Sequence, residues 1–267
     1  MKDGYLSFYI LRGNYTNTYK QLLKHLILAD LEEWIAHQEE VYEKGFRQRE
    51  SLLKSEGTKS GIHPRKVGYT FIYRHPDEIS AELAEISSRL SSVIGCVPYS
   101  LDSIHVCALD ECDEYKISVN ETENAENHLD TKVTTNLCDI ARKTTQNTPA
   151  PRIQLNNLLF NPEAVIIEGI PIDSSSYDFS KSLFNACQKD ETSRRMSRFP
   201  WGVHTTLIRN SGGLSPEQLE ETGFYQALLK ERKKFTPKTT RFKSLDVCFF
   251  DCGPKEARFR VLERFEL

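Results

Sequence analysis

The order in which strand-like and helix-like segments alternate constrains this chain most. From residue 66 onward, hydrophobic periodicity switches repeatedly between two and 3.6 residues. Val67 to Tyr73 reads as a strand, broken by His75-Pro76-Asp77, with Pro76 suited to a helix start. Ile79, Leu83, Ile86, Leu90 and Ile94 form an apolar stripe at spacings of three and four, the signature of a helix lying on a core. Ser103 to Leu109 is a strand, and a weaker helix runs from about His128 to Lys143. Arg152 to Phe160 and Ala164 to Gly169 read as two strands, Tyr177 to Met196 as a helix, and Gly202 to Ile208 as a strand. A helix from Ser215 to about Lys234 has Ser215 as its cap and Pro216 at its first position. Phe242 to Phe250 and Ala257 to Leu267 close the chain as strands. The order β-α-β-α-β-β-α-β-α-β-β predicts an α+β fold of two similar lobes around a central cleft, a duplicated β-α-β-α-β arrangement.

The first 60 residues read differently. Tyr5 to Leu11 is a short strand, and Leu22, Leu23, Leu26, Ile27, Leu31, Trp34 and Ile35 recur at helical spacing. The pattern weakens through Val41, Tyr42 and Phe46. A polar stretch with two glycines and a proline, 56–64, then reads as a linker. The expected division is a strand and long helix over 1–60, and a two-lobed domain over 61–267.

Two of the predicted strands carry a histidine two residues before a small polar group. They are Ser103-Ile104-His105-Val106-Cys107 and Gly202-Val203-His204-Thr205-Thr206. Alternate residues on a strand share a face, so His105 points with Cys107 and His204 with Thr206, while Thr205 points away. Two imidazoles converging on one cleft supply a general base and a general acid in the neutral range. Tyr69 and Tyr73, on one face of their strand with Phe71, and Trp201 are candidates for stacking on a nucleobase. Arg194, Arg195 and Arg198 precede the second histidine strand, and Arg198 is a candidate phosphate ligand. Arg209 ends that strand and flanks the expected cleft.

Composition narrows the partners. A net charge of −3 argues against electrostatic binding to long nucleic acid. No apolar run approaches a bilayer span. The start of the chain lacks the basic-then-apolar layout of a secretory signal, and the cysteine count of 7 is odd with scattered spacing. The expectation is a cytoplasmic protein with reduced thiols, no structural metal and no cofactor. No Gly-x-x-x-x-Gly-Lys loop and no Gly-x-Ser-x-Gly elbow is present, which argues against triphosphate hydrolysis and serine-hydrolase chemistry.

On the two histidine motifs, and on the order of elements over about 66–267, the chain resembles the two-histidine phosphoesterase superfamily, the LigT-like proteins. His204-Thr205-Thr206 fits the second His-x-Thr/Ser motif. His105-Val106-Cys107 fits the first in its histidine and departs in its third residue, where Cys replaces Thr or Ser. The resemblance implies hydrolysis of a 2′,3′-cyclic phosphate or related phosphodiester of a small nucleotide or an RNA end. In that chemistry one histidine deprotonates the attacking hydroxyl and the other protonates the leaving oxygen, while Thr206 and the residue at position 107 contact phosphate oxygens. A thiol donates a weaker hydrogen bond than a hydroxyl. Two other readings follow from Cys107: a nucleotide-binding module of the same fold without turnover, and a hydrolase that uses the thiol as nucleophile.

Overall fold

The computed structural model describes residues 30–48, 65–94, 96–111, 117–120, 122–161, 164–194, 197–209, 216–253 and 256–267. The expected strand at 5–11, the early turns of the first helix, the linker at 56–64, Arg195 and the Ser215 cap lie outside them.

Helix α1 (Leu31–Tyr42) starts at Asp30, whose carboxylate accepts the Glu33 amide at 3.0 Å. It continues as a π-helical turn, Glu43–Arg47. Trp34, Gln38, Tyr42 and Phe46 recur every fourth residue, and all four are buried. Strand β1 (Lys66–Arg74) is followed by α2 (Asp77–Ile94), whose predicted stripe is buried along its length. Next come β2 (Val97–Pro98), a 3-10 turn (Leu101–Ser103), β3 (Val106–Glu111) and β4 (Ile117–Ser118). Helix α3 (Thr131–Asn147) precedes the hairpin of β5 (Arg152–Asn161) and β6 (Ala164–Pro171). Helix α4 (Ser175–Gln188), a short α5 (Glu191–Arg194), β7 (Ser197–Arg198) and β8 (Val203–Arg209) follow. The chain ends with α6 (Pro216–Glu221), α7 (Phe224–Lys234), β9 (Lys238–Arg241), β10 (Ser244–Cys252) and β11 (Ala257–Glu266).

Two long helices expected from the sequence are each interrupted. The one after β6 ends at Gln188 and resumes at Glu191. The one before β9 breaks at Gly223, whose φ of 75° is left-handed and suits a residue without Cβ.

The main strands form one sheet in the order β11-β10-β1-β3-β8-β6-β5-β9, with every recorded pairing antiparallel. Its weakest join lies in the middle. β1 and β10 run in register from Lys66↔Cys252 to Arg74↔Ser244, whereas β3 and β8 meet only at Val106↔Thr205. That seam divides the sheet into two four-stranded lobes. The lobes are not the two halves of the sequence, because β10 and β11, last in the chain, complete the first lobe beside β1. Helix α2, which follows β1, packs on β8 of the other lobe, and α3 packs on β10 and β11. The α2 crossing ties the lobes into one core. No helix among the described residues is long and apolar enough to cross a membrane.

Candidate functional site

The seam between the lobes positions the two histidines. In antiparallel strands directly opposed residues share a face. Continued from Val106↔Thr205, the register sets His105 against Thr206 and Cys107 against His204. All four occupy one face. Val106 and Thr205 occupy the other, where the Thr205 hydroxyl lies 2.8 Å from Nε2 of the buried His75. The two histidines are diagonal neighbours, about 7–8 Å apart at the backbone, within reach of one phosphate through their side chains.

His105 sits between the 3-10 turn and β3. Its Nδ1 is 2.6 Å from the Ser103 carbonyl. A carbonyl only accepts, so Nδ1 carries the proton and Nε2 presents a lone pair. The Cys107 thiol, 3.6 Å from Nε2, is placed to donate to it. Phe259 packs on the ring at 4.4 Å and Tyr99 at 5.9 Å between centroids. Burial pushes the imidazole down to about 3, against the pull of the Ser103 carbonyl; the positive charges of Arg74 and Arg209, with His204, act in the same direction as burial.

His204 is only partly buried as a residue, and its ring stacks on Trp201 at 4.6 Å and 19°. Its Nδ1 is enclosed without a hydrogen-bond partner among the described residues. Burial, then Arg209, pushes it down to about 4. Both histidines are therefore neutral at pH 7.

Arg209 reaches this face through a defect in the strand. The register of β8 against β6 slips between Thr206 and Ile208, so the extra residue reverses the alternation. Ile208 turns to the core with Val165, and Arg209, opposite Ala164, joins the side of His204 and Thr206. Its Nε donates to the Tyr99 hydroxyl at 2.9 Å.

Helix α1 backs the second histidine. The Gln38 side chain donates to Gly169 O at 3.0 Å and accepts from Val203 N at 2.6 Å. The Tyr42 hydroxyl donates to Val203 O and accepts from Gly169 N at 3.2 Å. Both side chains thus complete the ladder between β6 and β8 one residue from His204. Glu168, directly across from His204 on β6, is fully buried; it pairs with Arg47 and accepts from Asn156 at 2.8 Å. Burial lifts its carboxyl above the ordinary range despite both partners.

The other predicted residues divide. Trp201 lies at His204, but its ring is already near-parallel to His204 and Phe46 and edge-on to Tyr42. Its role here is to pack the imidazole. Tyr69 and Tyr73 do not reach the site. Cys107 pairs with Ile72, so the face of β1 that carries Tyr69, Phe71 and Tyr73 is the opposite one. Tyr73 stacks on Phe242 at 4.7 Å in the core, and the Tyr69 hydroxyl is engaged by the Asp130 backbone. Arg198 is exposed on β7, paired in backbone register with Asp110 at the far end of β3. The guanidinium groups whose charge bears on the histidines are Arg74 and Arg209. Sequence reading missed Tyr99, Phe259, Arg74, Glu168, Gln38 and Tyr42. Of these only the buried helix row carried a periodic signal. Among the described residues, no group of three or more His, Cys, Asp or Glu is placed to hold a metal ion.

No family model and no curated protein matches the chain. Solved structures do resemble it. TT0787 of Thermus thermophilus matches at 14% identity and a TM-score of 0.48, covering 76% of this chain and 97% of that one. E. coli LigT complexed with ATP matches at 12% identity and a TM-score of 0.47, covering 77% of this chain and 99% of that one. E. coli LigT complexed with 3′-AMP matches at 13% identity and a TM-score of 0.44, with the same coverage.

Proposed function

We propose that this chain is a phosphodiesterase that hydrolyses a 2′,3′-cyclic phosphate, or a related phosphodiester, of a small nucleotide or RNA end without a metal or cofactor. The observation that carries this reading is the placement of His105, Cys107, His204 and Thr206 on one face of the β3–β8 seam. His105 acts as the base. Its Nε2 lone pair is turned forward by the Ser103 bond and takes the proton of the attacking water. The water oxygen bonds to phosphorus, and the bond from phosphorus to one ribose oxygen breaks. His204, across the seam, gives its proton to that oxygen. The Thr206 hydroxyl donates to a phosphate oxygen, and Arg209 offsets the phosphate charge.

The test is hydrolysis of a panel of 2′,3′-cyclic nucleotides with EDTA present. Turnover that survives EDTA and falls about 10²–10⁴-fold in His105→Ala and in His204→Ala supports the reading. Turnover that persists with both replaced refutes it. The 3.6 Å contact between Cys107 and His105 favours one second reading, a thiol nucleophile with His105 as base. Cys107→Thr separates them: it retains or raises turnover under the first reading and abolishes it under the second. Nucleotide binding without turnover marks a binding module.

A further inference from the structure

Beside His105 lies an ion cluster that the acid–base scheme does not use. Asp246, fully buried on β10, accepts from Arg74 Nε at 2.8 Å and from Arg264 Nε and Nη2, each at 2.8 Å. The Ser244 hydroxyl donates at 3.2 Å to the same oxygen that accepts Arg264 Nε. Burial pulls this carboxyl upward, but the bonds from Arg264 and Arg74 hold it below its ordinary value. A buried carboxylate held by two arginines, one of them half-exposed, is a poor way to gain stability, because its desolvation offsets most of the attraction. Its geometry has a more specific consequence. Arg74 Nη1 donates to Asp102 O at 2.6 Å and to Ile104 O at 3.2 Å. The carbonyl between them, Ser103 O, is the one that accepts His105 Nδ1–H. Three consecutive carbonyls are thereby fixed, two by Arg74 and one by His105. Ser103 Oγ in turn donates to Ala257 O at 3.0 Å, anchoring the same turn to β11.

We propose that Arg74, oriented by Asp246, is a positioning residue for His105: it sets the 102–104 turn, and the turn sets the tautomer and direction of the imidazole. The inference deepens the base assignment for His105 and rests on it for its kinetic arm only. Among the described residues, the charged and titratable groups facing His105 are Arg74 from β1, Cys107 from β3, Arg209 and His204 from β8, and the Tyr99 hydroxyl after β2. Arg74 therefore acts in two separable ways, by its charge and by its two-carbonyl grip.

The experiment uses the full chain and reads imidazole ¹⁵N shifts across a pH titration, with kcat and KM measured in parallel. Arg74→Lys keeps the charge and loses the grip, because an ammonium cannot span both carbonyls and Asp246 in one plane. The expected result is a mixed His105 tautomer, with kcat lower by about 10- to 100-fold and KM within about threefold. Arg74→Gln adds loss of the charge, and the His105 midpoint then rises as well. Asp246→Asn leaves Arg74 buried and unpaired; if it fails to fold, Arg264→Gln, which removes a half-exposed partner, loosens Asp246 with a smaller change of the same kind. A single Nδ1–H tautomer at His105 in folded Arg74→Lys overturns the proposal, whether or not the chain turns over a nucleotide. The ¹⁵N arm reads without turnover, so failure of the phosphodiesterase reading and failure of this one are distinguishable.

Discussion

Acid should unfold this protein earlier than its carboxylates alone would, and His75 provides the clean test. The residue is 1% exposed, its Nε2 is bound to Thr205, and its Nδ1 has no partner among the described residues. Burial, with Arg74 beside it, pushes it from 6.5 down to about 3, as burial does for His105. A histidine depressed in the folded state contributes stability that is present above 6.5 and lost as pH falls from 6.5 toward 3. Between pH 7 and pH 5 the unfolded chain charges each imidazole and the folded chain does not, which costs about 2 kcal/mol per residue. His75 and His105 together lose about 4 kcal/mol, a large share of the 5–15 kcal/mol (roughly) typical of a folded protein. His204, held near 4, loses a comparable amount over this window, and His37 shifts in the same direction. Asp246 acts only at pH values near or below its ordinary 3.8, outside this window. Glu168 works oppositely: its raised carboxyl favours the folded state as pH falls, which trims the loss. Urea unfolding of wild type and His75→Gln at pH 7 and pH 5 measures the effect. The glutamine keeps an amide near Thr205, so the variant's own cost at pH 7 is separated from the pH dependence. The difference between the two pH values should shrink by about 2 kcal/mol in the variant. An unchanged acid loss would show that His75 takes up its proton in the fold as readily as in the unfolded chain, and the burial argument would fail.

Two further substitutions test the division of roles. A Cβ added at Gly169 would sit 2.8 Å from both Val203 Cγ1 and Val203 O, so Gly169→Ala should cost about 1–3 kcal/mol by thermal unfolding and lower turnover by shifting β8. Tyr69→Phe loses the hydroxyl bonds to Asp130 N at 2.7 Å and Asp130 O at 3.2 Å; stability should fall by about 1 kcal/mol with KM unchanged, whereas a raised KM would return Tyr69 to the site.

What was legible in the sequence was local. The stripe of α2 and the alternation around each histidine depend on residues a few positions apart, and strand parity put His105 with Cys107 and His204 with Thr206. Parity within a strand does not say which face of a neighbouring strand turns the same way. That missing relation put Tyr69 and Tyr73 in the wrong place. Nor does parity survive a bulge: counting from His204 places Arg209 on the wrong face, and only the slip at Thr206–Ile208 returns it. The Arg74–Asp246–Arg264 cluster joins β1 to a hairpin whose Asp246 lies 172 positions further on, and β9 is a short polar edge strand, so neither leaves a periodic trace. Gln38 and Tyr42 lay on a helical row that sequence reading treated as an extension, and what they bind is backbone.

The two neutral imidazoles set a condition on the reaction. A general acid needs a proton that the free site does not hold at pH 7, so binding must bring it in. His204 would have to rise from about 4 to about 7. That is worth about 4 kcal/mol, which matches one phosphate charge about 4 Å away at an effective dielectric near 20. His105 begins near 3, beside Arg74, and needs more than one such contact. The proton should therefore go to His204, and its uptake should accompany the anion. Calorimetry in buffers of differing ionisation enthalpy counts it. The probe is a slowly hydrolysed 2′,3′-cyclic phosphorothioate nucleotide, whose own phosphate does not titrate near neutrality. Uptake should lie between about one half and one proton at pH 7 and decline toward pH 9. It should vanish in His204→Gln and persist in His105→Gln, with binding retained in both. Uptake lost in His105→Gln instead would exchange the acid and base roles. Binding with no uptake in the wild type would mean that the phosphate does not sit between the histidines, and the two-histidine mechanism would fall with it.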